Sequence, residues 1–359
     1  MQRPGPAASS ATDRPAIPLW PATAPPVFLH IQHADLLLAG SLSKSQSAPI
    51  DNRSVNARIM GFSIVLPELK RRDPEVPMSQ EKKLDGKVAI ITGASRGVGR
   101  CIAITFASHG ADVVIAAKTD TPPHPTLTGT IHSVAEEVQA VGGRALPIKV
   151  DVRDDDMIQN MVDQTMQTFG RIDILINNAG ALWWQEVADT PMKRYDLVND
   201  VNSRATFACT RACMPHILAD GGGHVLVFSP PVDLRALPGK IAYLIGKFGM
   251  TMLAHGLADE MKGKPFSINA LWPVTAVESA ATVNFQLGTP ETWRKPEILA
   301  DASLALVTKP PGQISGKAFF DEDVLRGEGV TDFAKYQCVP GSEPPRMMPD
   351  DYPSAGIPA

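Results

Sequence analysis

From Lys87 onward, short apolar runs alternate with longer stretches whose apolar residues recur every three to four positions. The runs at Lys87–Thr92, Asp112–Ala117, Ala145–Val150, Asp173–Asn177, His224–Ser229, Ser267–Leu271 and Lys317–Phe320 are rich in Val, Ile, Leu and Ala. They do not alternate apolar with polar residues, as expected of strands covered by helices on both faces. Helical periodicity fills the gaps, over Gly97–Ser108, Gly129–Ala140, Asp154–Phe169, Met192–Leu218, Ala242–Met261 and Pro296–Thr308. This repetition predicts an α/β fold with a doubly wound parallel sheet, as a single domain over residues 83–340. No internal repeat exceeds the strand–helix unit. The Pro-rich segment 341–359 reads as an extended tail.

The pattern fails before residue 83. Eleven of the 32 prolines fall in the first 80 residues, and no helix or strand period survives there. Residues 1–82 are therefore expected to be a disordered extension. They lack a basic start followed by an unbroken apolar core, so a secretory signal is not expected. Scattered arginines (Arg3, Arg14, Arg53, Arg58) and many serines suit a transit peptide, while the prolines oppose a continuous amphipathic helix. The other reading is an upstream extension, with Met78 as a natural start.

Composition narrows the classes. A net charge of −4 points to neither nucleic acid nor an anionic membrane surface. No run of eighteen apolar residues occurs, so no membrane span is expected. The four cysteines form no CxxC pair, so neither a metal site nor a redox motif is expected. They suit a reducing, intracellular compartment, with cytoplasm, mitochondrion and peroxisome left open.

The first strand runs into Thr92-Gly93-Ala94-Ser95-Arg96-Gly97-Val98-Gly99, and a helical pattern follows. Gly93 allows a sharp turn, Gly97 opens the helix, and Gly99 lets the helix approach the sheet. Free N–H groups at that helix end would face a dinucleotide pyrophosphate, the Rossmann arrangement. An NAD-binding chain wants an acid at the end of the second strand. Here Ala116 to Thr119 contain none, and Lys118 is basic. With Arg96 as a second cation, a 2′-phosphate is favoured, hence NADP. Asp120 nearby is the counter-indication. Asp151, ending the third strand, is expected to bond the adenine amino group or else to cap the helix starting near Asp154.

Tyr243 and Lys247 stand four apart in a helical pattern and so share a face. A free phenol has a pKa of roughly 10 and is a poor base at neutrality. An ammonium beside it is expected to lower that value and make Tyr243 a usable proton donor and acceptor. Such a pair is common by chance and gains meaning from its neighbours. Asn177-Asn178-Ala179-Gly180 follows the fourth strand, Asn202 lies within the long helical pattern, and Ser229 ends the fifth strand. Asn202 is expected to hold a relay water behind Lys247, or else to bond backbone. Ser229 is expected to orient the substrate oxygen.

Taken in order, Gly93…Gly97…Gly99, Asn177-Asn178-Ala179-Gly180, Asn202, Ser229 and Tyr243…Lys247 resemble the short-chain dehydrogenase/reductase superfamily. Ile115-Ala-Ala-Lys-Thr, Phe228-Ser-Pro-Pro and Asn269-Ala-Leu-Trp-Pro resemble its hydroxysteroid dehydrogenase-like group, over roughly Leu84 to Pro340. Members of that group often carry a C-terminal sterol-carrier domain, which is not expected within these 359 residues. The resemblance implies an NADP-dependent oxidoreductase that interconverts a secondary alcohol and a carbonyl on an apolar, lipid- or steroid-like small molecule. The alternatives are a non-catalytic NADP- or lipid-binding scaffold and an enoyl reductase. The resemblance also implies cofactor contacts from Gly93, Ala94, Ser95, Arg96, Gly97, Val98, Gly99, Lys118, Asp151, Asn178, Ala179, Gly180, Pro273, Tyr243 and Lys247. It implies a homo-oligomer, dimer or tetramer, paired through the helices near Ala205–Leu218 and Ala242–Met261.

Two departures stand out. Pro230 occupies the position thirteen before Tyr243 where the superfamily places a serine. Val274 follows Pro273 where glycine is usual, and Thr275 is the substitute contact for the cofactor carboxamide. On the substrate side, Trp183 and Trp184 either line an apolar pocket or pack in the core. Val274 to Trp293 is expected to act as a lid, with Gly288 and Pro290 as hinges.

Overall fold

The structure, a computed structural model, describes residues 81–122 and 128–348. The expected N-terminal extension and the end of the tail lie outside the described residues, apart from positions 81, 82 and 341–348.

The chain begins with β1 (Val88–Thr92), α1 (Gly97–Ser108), β2 (Asp112–Ala117), α2 (Ile131–Ala140), β3 (Ala145–Lys149), α3 (Asp155–Phe169) and β4 (Ile174–Asn177). Next come α4 (Met192–Asn199), α5 (Ala205–Ala219), β5 (Gly223–Phe228), α6 (Ile241–Glu260) and β6 (Phe266–Trp272). It finishes with β7 (Ala276–Val277), α7 (Ala280–Asn284), β8 (Trp293–Arg294), α8 (Glu297–Val307), β9 (Ala318–Phe320) and α9 (Asp321–Gly327). Seven strands form one parallel sheet in the order β3-β2-β1-β4-β5-β6-β9, as the apolar runs predict. Every residue of β1, β4, β5 and β6 is buried. Alternate side chains enter the two layers. Ile91, Ile176 and Leu226 join the cluster with α1, α2 and α8, whereas Ile90, Leu175 and Val227 join the cluster with α3, α5 and α6.

Strand order reverses between β1 and β4. In such sheets, ligands bind outside the carboxyl ends of the strands at this switch point. The glycine turn and the Asn177–Gly180 turn both leave the sheet there.

Three local features differ from the periodicity. The single helix expected over Met192–Leu218 is interrupted by a π turn at Asp200–Arg204, between α4 and α5. Such turns insert one residue and are frequent at functional sites. The segment expected to be a lid is built from β7, α7 and β8, and Ser279 and Thr282 form a capping box at the start of α7. Asp154, not Asp151, caps α3, accepting from the Met157 N–H at 3.1 Å. Among the described helices, α6 alone is long and apolar enough to cross a bilayer. Its apolar residues serve packing: Leu244, Met250, Ala254 and Leu257 are buried.

Candidate active site

The glycine turn is shaped by contacts a side chain would obstruct. Gly93 has φ +68°, and a Cβ there would come within 2.9 Å of Ala179 Cα. A Cβ on Gly99 would stand 2.7 Å from the Gly93 carbonyl oxygen. Gly97 has φ +56°, and a Cβ built there meets nothing within 4 Å. Arg96 provides no side-chain cap to α1, and no acid occupies its first turn. The leading N–H groups and positive helix end therefore face open space, which fits a pyrophosphate. Ala94 and Ser95 are buried within the turn, and Val98 packs against the core beneath it, so these three shape the cradle.

Thr92 braces the cradle, a role the sequence reading missed. Its hydroxyl donates to the Ile176 carbonyl at 3.1 Å and accepts from the Asn178 and Ala179 N–H groups at 3.1 Å each. The Asn178 amide donates to the carbonyls of Thr92 and Gly93, at 2.9 and 3.3 Å. The Asn178 side-chain amide thus ties the two turns together. A hydroxyl at the last strand position before the glycines was the available signal.

The adenosine end is ionic. Lys118 is exposed and lies 3.2 Å from Asp151, which also grips Arg153. The Arg153 hydrogen bonds, more than Lys118, hold the Asp151 carboxyl well below the usual carboxylate range. Arg96 donates to the carbonyls of Thr128 and Gly129 at 3.2 and 2.9 Å, which anchors the segment ahead of α2. Asp120, the counter-indication to a 2′-phosphate, is engaged by His132 at 2.7 Å and Lys149 at 3.6 Å.

Lys247, Asn202 and Gly180 converge, one helical turn from Tyr243. Lys247 is buried and donates to the Phe228 carbonyl at 2.7 Å. A Cβ on Gly180 would stand 3.4 Å from Lys247 Nζ and 3.5 Å from Asn202 Oδ1, so glycine leaves the two polar groups a common space. Asn202, buried in the π turn, exchanges two 3.0 Å hydrogen bonds with the backbone of Ala181. Its amide holds the turn after β4 instead of a relay water, the backbone-bonding alternative. The Tyr243 ring meets Trp184 edge to face, with centroids 6.4 Å apart. The expected lowering of the phenol pKa is not found. Burial pushes the Tyr243 hydroxyl above its ordinary range and Lys247 down to about 8. The amine is bonded to a carbonyl, and desolvation disfavours both charged forms.

Ser229 is a correction. Phe228 faces the α1–α8 layer, so alternation sends Ser229 to the opposite layer. There it is buried, 2.7 Å from the Thr251 hydroxyl, and accepts from the Trp272 indole at 3.1 Å. Its hydroxyl is committed to the core and cannot orient a substrate. Pro230 and Pro231 supply no donor in its place. Pro273 leaves β6 half-buried, followed by Val274, whose N–H donates to Asp321 at 3.0 Å. Thr275 is buried and donates to the Ala276 carbonyl at 3.2 Å, so it is not presented to a carboxamide.

Trp183 and Trp184 are half-buried, and Trp184 lies against the Tyr243 ring. Arg194 lies 4.8 Å above the Trp183 ring and Lys240 lies 4.6 Å above Trp184. Each is held by a cation–π contact.

Comparison with known proteins agrees with this arrangement. The sequence profile of the short chain dehydrogenase family matches residues 87–286. Human hydroxysteroid dehydrogenase-like protein 2 is 44% identical over 279 residues, covering 76% of this chain and 66% of the relative. The match therefore spans just under two thirds of the relative's own length. The crystal structure of a putative dehydrogenase from Xanthomonas campestris is 41% identical, with a TM-score of 0.70, over 73% of this chain and 96% of that one. More distant solved neighbours include a metagenomic short-chain oxidoreductase in complex with NADP, 26% identical with a TM-score of 0.56 over 65% and 95% of the two chains. Another, from Mycobacterium paratuberculosis, is bound to NAD, at 28% identity and a TM-score of 0.57 over the same shares, 65% and 95%. The glycine cradle at the switch point fits a nicotinamide dinucleotide of either kind. With the parallel sheet, the cradle and the Tyr243–Lys247 helix in place, this chain belongs to the short-chain dehydrogenase family of oxidoreductases.

Proposed function

We propose that the protein reversibly interconverts a secondary alcohol and a carbonyl, with NADP as the preferred cofactor. The meeting of Lys247, Asn202 and Gly180 one helical turn from Tyr243 carries this reading. The dinucleotide supplies or accepts the hydride when bound. Tyr243 passes the proton to the substrate oxygen or takes it back, and Lys247 carries the neighbouring proton one helical turn away. Gly93, Gly97 and Gly99 bring backbone close to the phosphates, and Ala179 and Gly180 leave room beside the reactive ring. Lys118 and Arg96, with no acid from Ala116 to Thr119 and with Asp120 engaged elsewhere, support the 2′-phosphate.

The half-buried Trp183 and Trp184 support a substrate with an apolar body, lipid- or steroid-like, in keeping with the name of the human relative. Exposed Phe207 on α5, with Ile245 and Met252 on α6, supports self-association as a dimer or tetramer. The free cysteines, three of them buried, support a reducing intracellular compartment. Trials of ketones and secondary alcohols with NADPH, NADP and their NAD counterparts test the reading. Turnover is expected in the wild type and lost in Tyr243→Phe while the cofactor still binds. Cofactor binding without turnover on any carbonyl or alkene would favour a scaffold, a reading to which Pro230 and the inward Ser229 lend support.

A further inference from the structure

We propose that the substrate carries an anionic group, a carboxylate or a phosphate, beside its apolar body, and that Lys240 binds it. The inference rests on the assignment of the Tyr243 side as the substrate site. Lys240 stands one helical turn before Tyr243. Its amine lies 4.6 Å above the Trp184 ring, whose edge in turn meets the Tyr243 ring. It is half-buried and has no carboxylate partner among the described residues. Cations of comparable exposure do better: Lys87 and Arg171 grip Asp173, and Arg100 grips Glu137. A ring face offsets only part of the lost hydration of an ammonium. Burial accordingly holds the Lys240 amine below its ordinary range.

The neighbouring groups have the same polarity. The indole N–H groups of Trp183 and Trp184 are both buried without an acceptor. Buried donors are normally paired. Lys240 occupies the N-cap of α6 without a side-chain cap, and no acid sits in the first turn. Arg194 over Trp183 adds a second cation. Among the described residues, no carboxylate pairs with these ammonium, guanidinium and indole donors. A neutral sterol or ketone would leave these groups unmatched. An anion on the substrate would engage Lys240 and give the indole donors an acceptor.

The test compares matched probes with NADPH: 4-oxodecanoate against its methyl ester, and 4-oxodecyl phosphate against 4-oxodecanol. It uses wild type, Lys240→Met and Lys240→Arg, each checked by thermal melting. Wild type is expected to prefer one anionic probe in kcat/KM by about tenfold or more. That preference should fall about tenfold in Lys240→Met and survive in Lys240→Arg. The pair with the larger Lys240-dependent preference identifies carboxylate or phosphate. Equal kcat/KM for anion and neutral partner in both pairs, or a preference unchanged in Lys240→Met, overturns the inference and leaves the oxidoreductase reading standing. If no probe is reduced, calorimetric binding of decanoate against decanol decides. Tighter decanoate binding that is lost in Lys240→Met upholds the anion site and places the failure on the enzymatic reading. Equal binding of the two overturns the anion site.

Discussion

The Lys247 amine donates to the Phe228 carbonyl at 2.7 Å, so the catalytic helix is tied to the carboxyl end of β5 by the residue that stands one turn from Tyr243. The bond fixes the amine of Lys247 at the end of β5. Neither this amine nor the Tyr243 phenol has an ordinary affinity for protons.

Burial lowers Lys247 to about 8, so it is charged below that pH and neutral above it. The proposed carbonyl reduction would consume a proton delivered through Tyr243, whose own hydroxyl burial keeps protonated well above neutrality. The expected kcat/KM for reduction is flat below pH 8 and falls about tenfold per pH unit above it. Lys247→Arg keeps the charge at all accessible pH values and should move the break upward. A break that stays near 8 in that variant would assign it to another group.

Ser229→Ala separates a core hydroxyl from a catalytic one. It removes one of two acceptors of the Trp272 indole, which keeps the Thr251 hydroxyl at 3.3 Å, and it removes a partner of Thr251. Losing one buried hydrogen bond whose groups keep another partner costs about 0.5–1.5 kcal/mol. Urea unfolding should show a loss of that size, with kcat for a reduced ketone within about twofold of wild type, against the hundredfold or greater drop of a lost proton-transfer group.

Lys118 offers the test of cofactor choice. Its exposed amine pairs with Asp151 across the ends of β2 and β3, where a 2′-phosphate would compete for it. Lys118→Ala should raise the KM for NADPH about tenfold and leave that for NADH nearly unchanged, as one charge-assisted hydrogen bond is worth about 1.5–3 kcal/mol. Equal effects on both cofactors would remove the basis for a preference.

His224 predicts acid sensitivity far from the site. It is buried on β5, 2.9 Å from the Lys309 carbonyl, and burial lowers its pKa from 6.5 to about 4. Above pH 6.5 neither folded nor unfolded chain holds the extra proton, and the contribution to stability is complete. As pH falls from 6.5 to 4 the unfolded chain binds a proton that the folded one refuses, and stability declines by up to about 3 kcal/mol. Urea midpoints between pH 7 and pH 4 should show this decline, and His224→Gln should remove most of it.

The reading from sequence reached the sheet because burial on both faces leaves a mark in every strand. Val88–Thr92, Asp112–Ala117 and Ile174–Asn177 show it as nearly continuous apolar runs. It reached the glycine cradle because positive φ and close approach exclude side chains at Gly93, and close approach alone does so at Gly99. It placed Tyr243 and Lys247 on one face because helical spacing is fixed. Periodicity could not find the π turn at Asp200–Arg204, within which Asn202 bonds the backbone of Ala181, twenty-one residues away.

Composition and spacing alone therefore determined the sheet and the switch-point cradle, and put Tyr243 and Lys247 on one helical face. The tertiary structure decided where their polar atoms point. It turned Ser229 into the core because Phe228 before it had taken the other layer. It set Lys247 on a carbonyl and stood Lys240 on Trp184. Those choices depend on which side chains from distant segments compete for the same buried hydrogen bonds, and no local pattern along the chain records that competition.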